Sequence, residues 1–117
     1  MACACSNYYS LTKALLIEKG LEFEEVKAVP SQEEEYLARS PMGKMPSVQI
    51  GDIHLSESLA IATYLERFQP EPALMPRDPL EAGKVMELIC HMKLDVELVA
   101  RRLLPEVLFK QPVSDVI

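Results

Sequence analysis

The chain holds no tryptophan, four glycines, three cysteines and two histidines in 117 residues. So few glycines leave no phosphate-cradling glycine loop, and no spacing of that kind is present. Cys3, Cys5 and Cys90 do not make a disulfide framework. They fit a reducing, cytoplasmic setting. Cys3-x-Cys5 lacks the spacing and partners of a zinc site, so no metal is expected. Basic residues are in deficit, 12 Lys and Arg against 18 Asp and Glu, for a net charge of −6. That balance argues against nucleic acid or an anionic membrane as partner, while leaving room for a local basic pocket. No apolar run approaches the roughly 20 residues that span a bilayer. The start, Met1-Ala2-Cys3-Ala4-Cys5, has neither the basic region nor the apolar core of a signal peptide.

What is present is 49% apolar content, enough for a globular chain that reads as one domain by length. Ser6-Asn7-Tyr8-Tyr9-Ser10 is polar and turn-like. Leu11 to Lys19 reads as a helix with Leu11, Ala14, Leu15, Leu16 and Ile17 inside and Lys13, Glu18 and Lys19 outside. Gly20 supplies the stop. Glu22 to Val29 alternates with one slip and reads as a strand ended by Pro30. Ser31-Gln32-Glu33-Glu34 has the form of a capping box, opening a short helix to about Arg39. Pro70, Pro72 and Pro76 mark residues 69–78 as a linker. Asp78-Pro79-Leu80-Glu81 starts a long helix, with a capping Asp and Pro at the first helical position. Its apolar stripe runs through Leu80, Val85, Leu88, Ile89, Met92, Val96, Val99 and Leu103. Pro105 kinks or stops it. There is no internal repeat, and the tail from Pro112 has no clear structure.

The remaining stretch, Ser40 to Ser58, organises the chain. Pro41 and Gly43 mark a loop. Val48 and Ile50, then Ile53 and Leu55, alternate with polar residues about a Gly51-Asp52 turn, which predicts a hairpin. Ser56-Glu57-Ser58 then opens a helix running to Phe68. Gly43-Lys44-Met45-Pro46, the hairpin and Ser-Glu-Ser-x-Ala-Ile-x-x-Tyr-Leu together resemble the glutathione S-transferase family. The resemblance runs from about Ser6 to about Leu104. It implies an α/β chain: a thioredoxin-like glutathione-binding domain over residues 1–68, the linker, and a partial helical domain over residues 79–117. A first strand before Ser6 has only five residues available, and in the family that strand lies inside the sheet.

The resemblance also implies a ligand and its site. Pro46 would be cis, and the backbone of Met45 would pair with the cysteinyl part of glutathione. Glu57 and Ser58, at a helix N-terminus, would take the γ-glutamyl group, whose carboxylate suits free N–H groups and whose ammonium suits Glu57. Lys44 stands where it can meet the glycyl carboxylate or simply be solvated. Ser6, with Gly20 fourteen residues on, resembles the residue that donates a hydrogen bond to the glutathione sulfur. Cys5, Tyr8, Tyr9 and Ser10 are its rivals. Cys5 opens a second chemistry, glutathione-dependent thiol redox exchange. The bland alternatives are a trans proline, a plain cap at Glu57-Ser58 and a helix cap at Ser6-Asn7. Cys90-His91 and His54 read as structural.

Read this way, the chain is a cytoplasmic glutathione transferase that joins the activated thiol to an apolar electrophile. An isomerase of the maleylacetoacetate kind is a variant. The family's second domain, which builds the electrophile pocket, is represented here only by its first helix, so the chain looks truncated. That helix pairs with a second copy in the family, which makes a homodimer the expected partner. A non-catalytic glutathione-binding or dimerisation module is the alternative.

Overall fold

The computed structural model describes residues 6–110. The expected short first strand and the expected unstructured tail lie outside the described residues. Contacts divide the chain into two compact units, Met1–Leu74 and Met75–Ile117.

In the first unit, α1 spans Asn7–Glu18. It begins one turn before the expected Leu11. Ser6 is its N-cap, and its Oγ accepts a hydrogen bond from the Tyr9 N–H at 3.4 Å. A capped first turn has fewer orphan donors, so polar residues that read as a turn become helical. At the other end Gly20 has φ +67°. Its N–H donates to the Ile17 carbonyl, and the Leu21 N–H donates to the Leu16 carbonyl. These are the two bonds of a Schellman stop.

The buried face of α1 is rotated from the expected one. Leu11 and Ile17 are exposed, while Thr12 and Lys19 are buried. Lys19, expected outside, has a side chain with no exposure and meets the Glu66 carboxylate at 2.6 Å. Its ammonium also donates to the Pro72 carbonyl at 2.7 Å. Glu66 in turn accepts from the Leu74 N–H at 3.2 Å. A salt link, with a carbonyl to share the charge, is what makes this burial tolerable.

Glu22–Val29 is not a strand. The segment is irregular and mostly exposed, and the sheet among the described residues is a two-stranded hairpin that does not include it. A strand needs a neighbour for its N–H and C=O groups, and the alternation here breaks at two adjacent glutamates. Glu25 instead reaches back to α1, where it accepts from the Tyr9 phenol and pairs with Lys13.

α2 is short, Glu34–Leu37. The expected capping box does not form. The Ser31 hydroxyl accepts from the Glu33 N–H at 3.3 Å, one residue too early to cap Glu34. β1 (Ser47–Ile50) and β2 (Ile53–Ser56) form the expected antiparallel hairpin. Its register pairs Ser47 with Ser56 and Ile50 with Ile53, and Gly51 takes φ +59° in the turn. α3 spans Ser58–Phe68. Ile61 and Leu65, one turn apart on it, are buried, and Ile61 has no exposure at all.

In the second unit, Asp78 caps α4 (Pro79–Cys90), accepting from the Glu81 N–H at 2.9 Å. The helix continues through a wider π-helical stretch, His91–Glu97, then α5 (Leu98–Ala100), a 3-10 turn at Arg101–Leu103 and α6 (Leu104–Phe109). Pro105 does not stop it. The proline falls in the first turn of α6, behind the tightened turn, where its missing N–H matters least. Exposed apolar residues include Leu80, Leu88, Leu98, Val99, Val107 and Leu108. Adjacent pairs among them lie about 100° apart around a helix, so the apolar surface is wider than the single stripe expected. His91 and Asp95 pair across one turn at 2.9 Å, and that hydrogen bond holds the imidazole above its ordinary range. No described helix is long and apolar enough to cross a membrane.

Candidate functional site

The hairpin register decides which sequence positions meet. Because Ser47 faces Ser56, the residues leading into β1 and those leaving β2 stand at the same end of the sheet. Met45-Pro46 enters there and Glu57-Ser58 leaves there. The Met45-Pro46 peptide bond is cis, the geometry that the family resemblance implied. Pro46 is buried and Met45 half-buried.

Glu57 is the N-cap of α3 with φ 71° and ψ 122°, and its side chain makes no capping hydrogen bond. A positive φ at a side chain larger than asparagine is strained, by about 1–3 kcal/mol. Such strain persists only where the surroundings impose it. Here Glu57 joins the end of β2 directly to the first residue of α3, and its carbonyl already accepts from the Ile61 N–H at 3.0 Å. The α3 N-terminus, with its partial positive charge, thus starts directly at the end of β2. Ser58 is 2% exposed. Residue type does not signal the Glu57 backbone, for which a glycine is the usual marker.

Ser6 stands at the start of α1. The Lys19–Glu66 link ties the C-terminal ends of α1 and α3, and the two helices pack on each other. They therefore run in the same general direction, with Ser6 and Ser58 toward the other end. Ser6 is half-buried. Its hydroxyl accepts from Tyr9 N–H and so keeps its own hydrogen to donate. Among its rivals, Tyr8, Tyr9 and Ser10 lie in the first turn of the helix. Tyr9 is committed elsewhere: its phenol donates to Glu25, and that bond raises the phenol above its usual range. Glu25 is held below the carboxylate range by Lys13 and Tyr9 together. Cys5 lies outside the described residues.

The Lys44 side chain is exposed. Gly43 before it has φ +64°, and a Cβ there would sit 2.3 Å from the Gln32 amide nitrogen and 2.6 Å from the Ser31 carbonyl. That contact was not legible in the sequence beyond the loop-marking glycine itself. Cys90 is an exposed free thiol on the long helix. Among the described residues no group of three or more His, Cys, Asp or Glu could hold a metal ion.

Comparison with known proteins gives a consistent answer. The profile of the glutathione S-transferase N-terminal domain matches residues 1–73. A glutathione S-transferase of Pseudomonas putida is 42% identical over 112 residues, covering 96% of this chain and 51% of its own. A probable maleylacetoacetate isomerase of Drosophila melanogaster is 43% identical over 56 residues, 48% of this chain and 23% of its own. Among solved structures, glutathione S-transferase I bound with lactoylglutathione superposes with a TM-score of 0.71 at 28% identity, covering 90% of this chain and 52% of that one. The fold is thus the thioredoxin-like domain followed by a long helix, and the chain spans about half the length of these relatives.

Proposed function

The chain belongs to the glutathione S-transferase family, and we propose that it binds glutathione at the end of the hairpin where Met45, Glu57 and Ser58 meet. The main chain of Met45 takes the cysteinyl portion. The α3 N-terminus and the Ser58 hydroxyl take the γ-glutamyl carboxylate, and Glu57 takes the ammonium beside it. The Lys44 ammonium takes the glycyl carboxylate. The observation that carries this reading is the backbone of Glu57. A plain helix cap has no use for a glutamate at φ 71° whose side chain caps nothing. A ligand end bearing both charges has a use for both parts of it.

The chemistry proposed is thiol activation. Ser6 donates its hydroxyl hydrogen to the glutathione sulfur, and the start of α1 adds positive potential. Lowering the thiol pKa by about two units requires roughly 2.7 kcal/mol of preference for the thiolate, within the reach of one charge-assisted hydrogen bond and a helix terminus. The thiol proton leaves to solvent, and the thiolate attacks an electrophilic carbon of an apolar substrate, forming a C–S bond as the bond to that carbon's leaving group breaks and the group departs with the electron pair. The match to a maleylacetoacetate isomerase favours a cis–trans isomerase as the variant chemistry, with glutathione adding and then leaving. The exposed apolar helix beyond Asp78 favours a homodimer.

Calorimetry with glutathione tests the site. In Glu57→Gly the strain is released, so the thermal midpoint is expected to rise, by an amount corresponding to about 1 kcal/mol. The same variant is expected to bind glutathione at least tenfold more weakly, because a charge-assisted contact is gone. Equal affinity in parent and variant would mean that Glu57 is only a cap.

A further inference from the structure

We propose that Tyr36 and Ser40 are positioning residues for the glutathione site, holding the peptide units of Lys44 from both sides so that Met45 presents its main chain in a fixed direction. The inference rests on the proposed glutathione reading and extends it to residues that do not touch the ligand.

The Lys44 N–H donates to the Ser40 Oγ at 3.2 Å. The Lys44 carbonyl accepts from the Tyr36 hydroxyl at 3.3 Å. Both backbone groups of the residue just before Met45 are therefore taken by side chains of α2 and the turn behind it. On the far side of Met45-Pro46, the Ser47 hydroxyl donates to the Arg39 carbonyl at 2.9 Å. Ser40 is 2% exposed, and its own carbonyl accepts from the Gly43 N–H at 2.8 Å. The approach to β1 is thus fastened at Lys44 and at Ser47, with Met45 and Pro46 between the fastenings.

The arrangement has a directional consequence. The Lys44 carbonyl belongs to the same peptide unit as the Met45 N–H, one of the two groups proposed to pair with the cysteinyl part of the ligand. A hydrogen bond on that oxygen fixes the rotation of the peptide plane and so the aim of the N–H. Burial keeps the Tyr36 phenol above its ordinary range, so it remains a donor at neutral pH. A pair of hydroxyls that served stability alone would have no reason to act on one part of the ligand more than another.

That difference is the test. Tyr36→Phe keeps the ring and removes only the donor. Its affinity for glutathione is expected to fall about fivefold, as the loss of one orienting hydrogen bond implies. Its affinity for γ-glutamylethylamide, which keeps the γ-glutamyl group and lacks the cysteinyl-glycine, is expected to stay unchanged. Ser40→Ala should show the same split, and Ser40→Thr, which restores the hydroxyl, should recover it. Equal weakening of both ligands would reduce the two residues to a structural role and overturn the inference. Unchanged affinity for glutathione in Tyr36→Phe would overturn it as well. Absence of glutathione binding by the parent chain is a different result, since it removes the proposed function itself and this inference with it.

Discussion

Replacing Glu66 by Ala is expected to destabilise the first unit by about 3–5 kcal/mol, the range for removing one partner of a buried ion pair. Lys19 lies on α1 with its side chain fully out of solvent, and Glu66 keeps 25% of its side chain exposed. The two partners are therefore not equivalent. Without Glu66 the ammonium retains, among the described residues, the Pro72 carbonyl, a dipole where it had a full charge. The Leu74 N–H also loses its acceptor. Without the ammonium, Glu66 still has Leu74 and some water. Lys19→Met, which keeps an apolar stem of similar reach, is thus expected to cost clearly less than Glu66→Ala. Urea unfolding of the two variants checks the ordering. A total stability of about 5–15 kcal/mol is usual for a domain, so the larger loss should be visible as a lowered urea midpoint or outright unfolding. Equal and small losses would show that the link is dispensable.

Gly43→Ala carries the second large effect. The added Cβ would lie 2.3 Å from the Gln32 Nε2 and 2.6 Å from the Ser31 carbonyl oxygen. The first contact is inexpensive, because it is the far end of a flexible side chain. The second is backbone and must be relieved by moving the 31–33 turn or the loop itself. The φ of +64° adds about 1–2 kcal/mol for any residue with a Cβ. Together these put the expected loss at about 2–4 kcal/mol, at the upper end for a single substitution. The position is one residue before Lys44, so movement there also disturbs the approach to Met45. Gly43→Ala is therefore expected to lose both thermal stability and glutathione affinity. Gly51→Ala offers the control. Its φ is +59°, but a Cβ there meets nothing within 4 Å, so it should lose stability by the backbone term alone and keep the affinity.

The parts of this fold that were legible in the sequence are those coded by neighbours in the chain. The β1–β2 hairpin follows from alternation about Gly51-Asp52. The α3 helix follows from its own periodicity, and the start of α4 from Asp78 and Pro79. What the sequence hid depends on distant groups. Lys19 looks like an outward-facing lysine at the end of an amphipathic helix, and Glu66 and the Pro72 carbonyl, far along the chain, make its burial possible. Glu22 to Val29 has enough alternation to read as a strand. Yet Glu25 is drawn to Tyr9 and Lys13, and no strand among the described residues flanks it. α1 starts one turn before its apolar periodicity does, because the Ser6 cap outweighs the weak helical preference of the residues it precedes.

The candidate site divides the same way. Met45, Pro46, Glu57 and Ser58 were found by resemblance, and the hairpin register brings them to one end of the sheet. The backbone of Glu57 and the side-chain fastening of Lys44 by Tyr36 and Ser40 left no mark in the sequence. Both are relations between a side chain or a dihedral and a backbone group, which residue type alone does not encode.

The most direct measurement is a titration of the nitrogen-15-labelled 117-residue chain with glutathione, followed by amide resonances. The account predicts saturable shifts concentrated at Met45, Glu57 and Ser58, with smaller shifts near Ser6 and little change along Asp78 to Phe109. Shifts that are absent in the folded chain, or that centre on the long helix and leave Met45 and Ser58 unmoved, would contradict it.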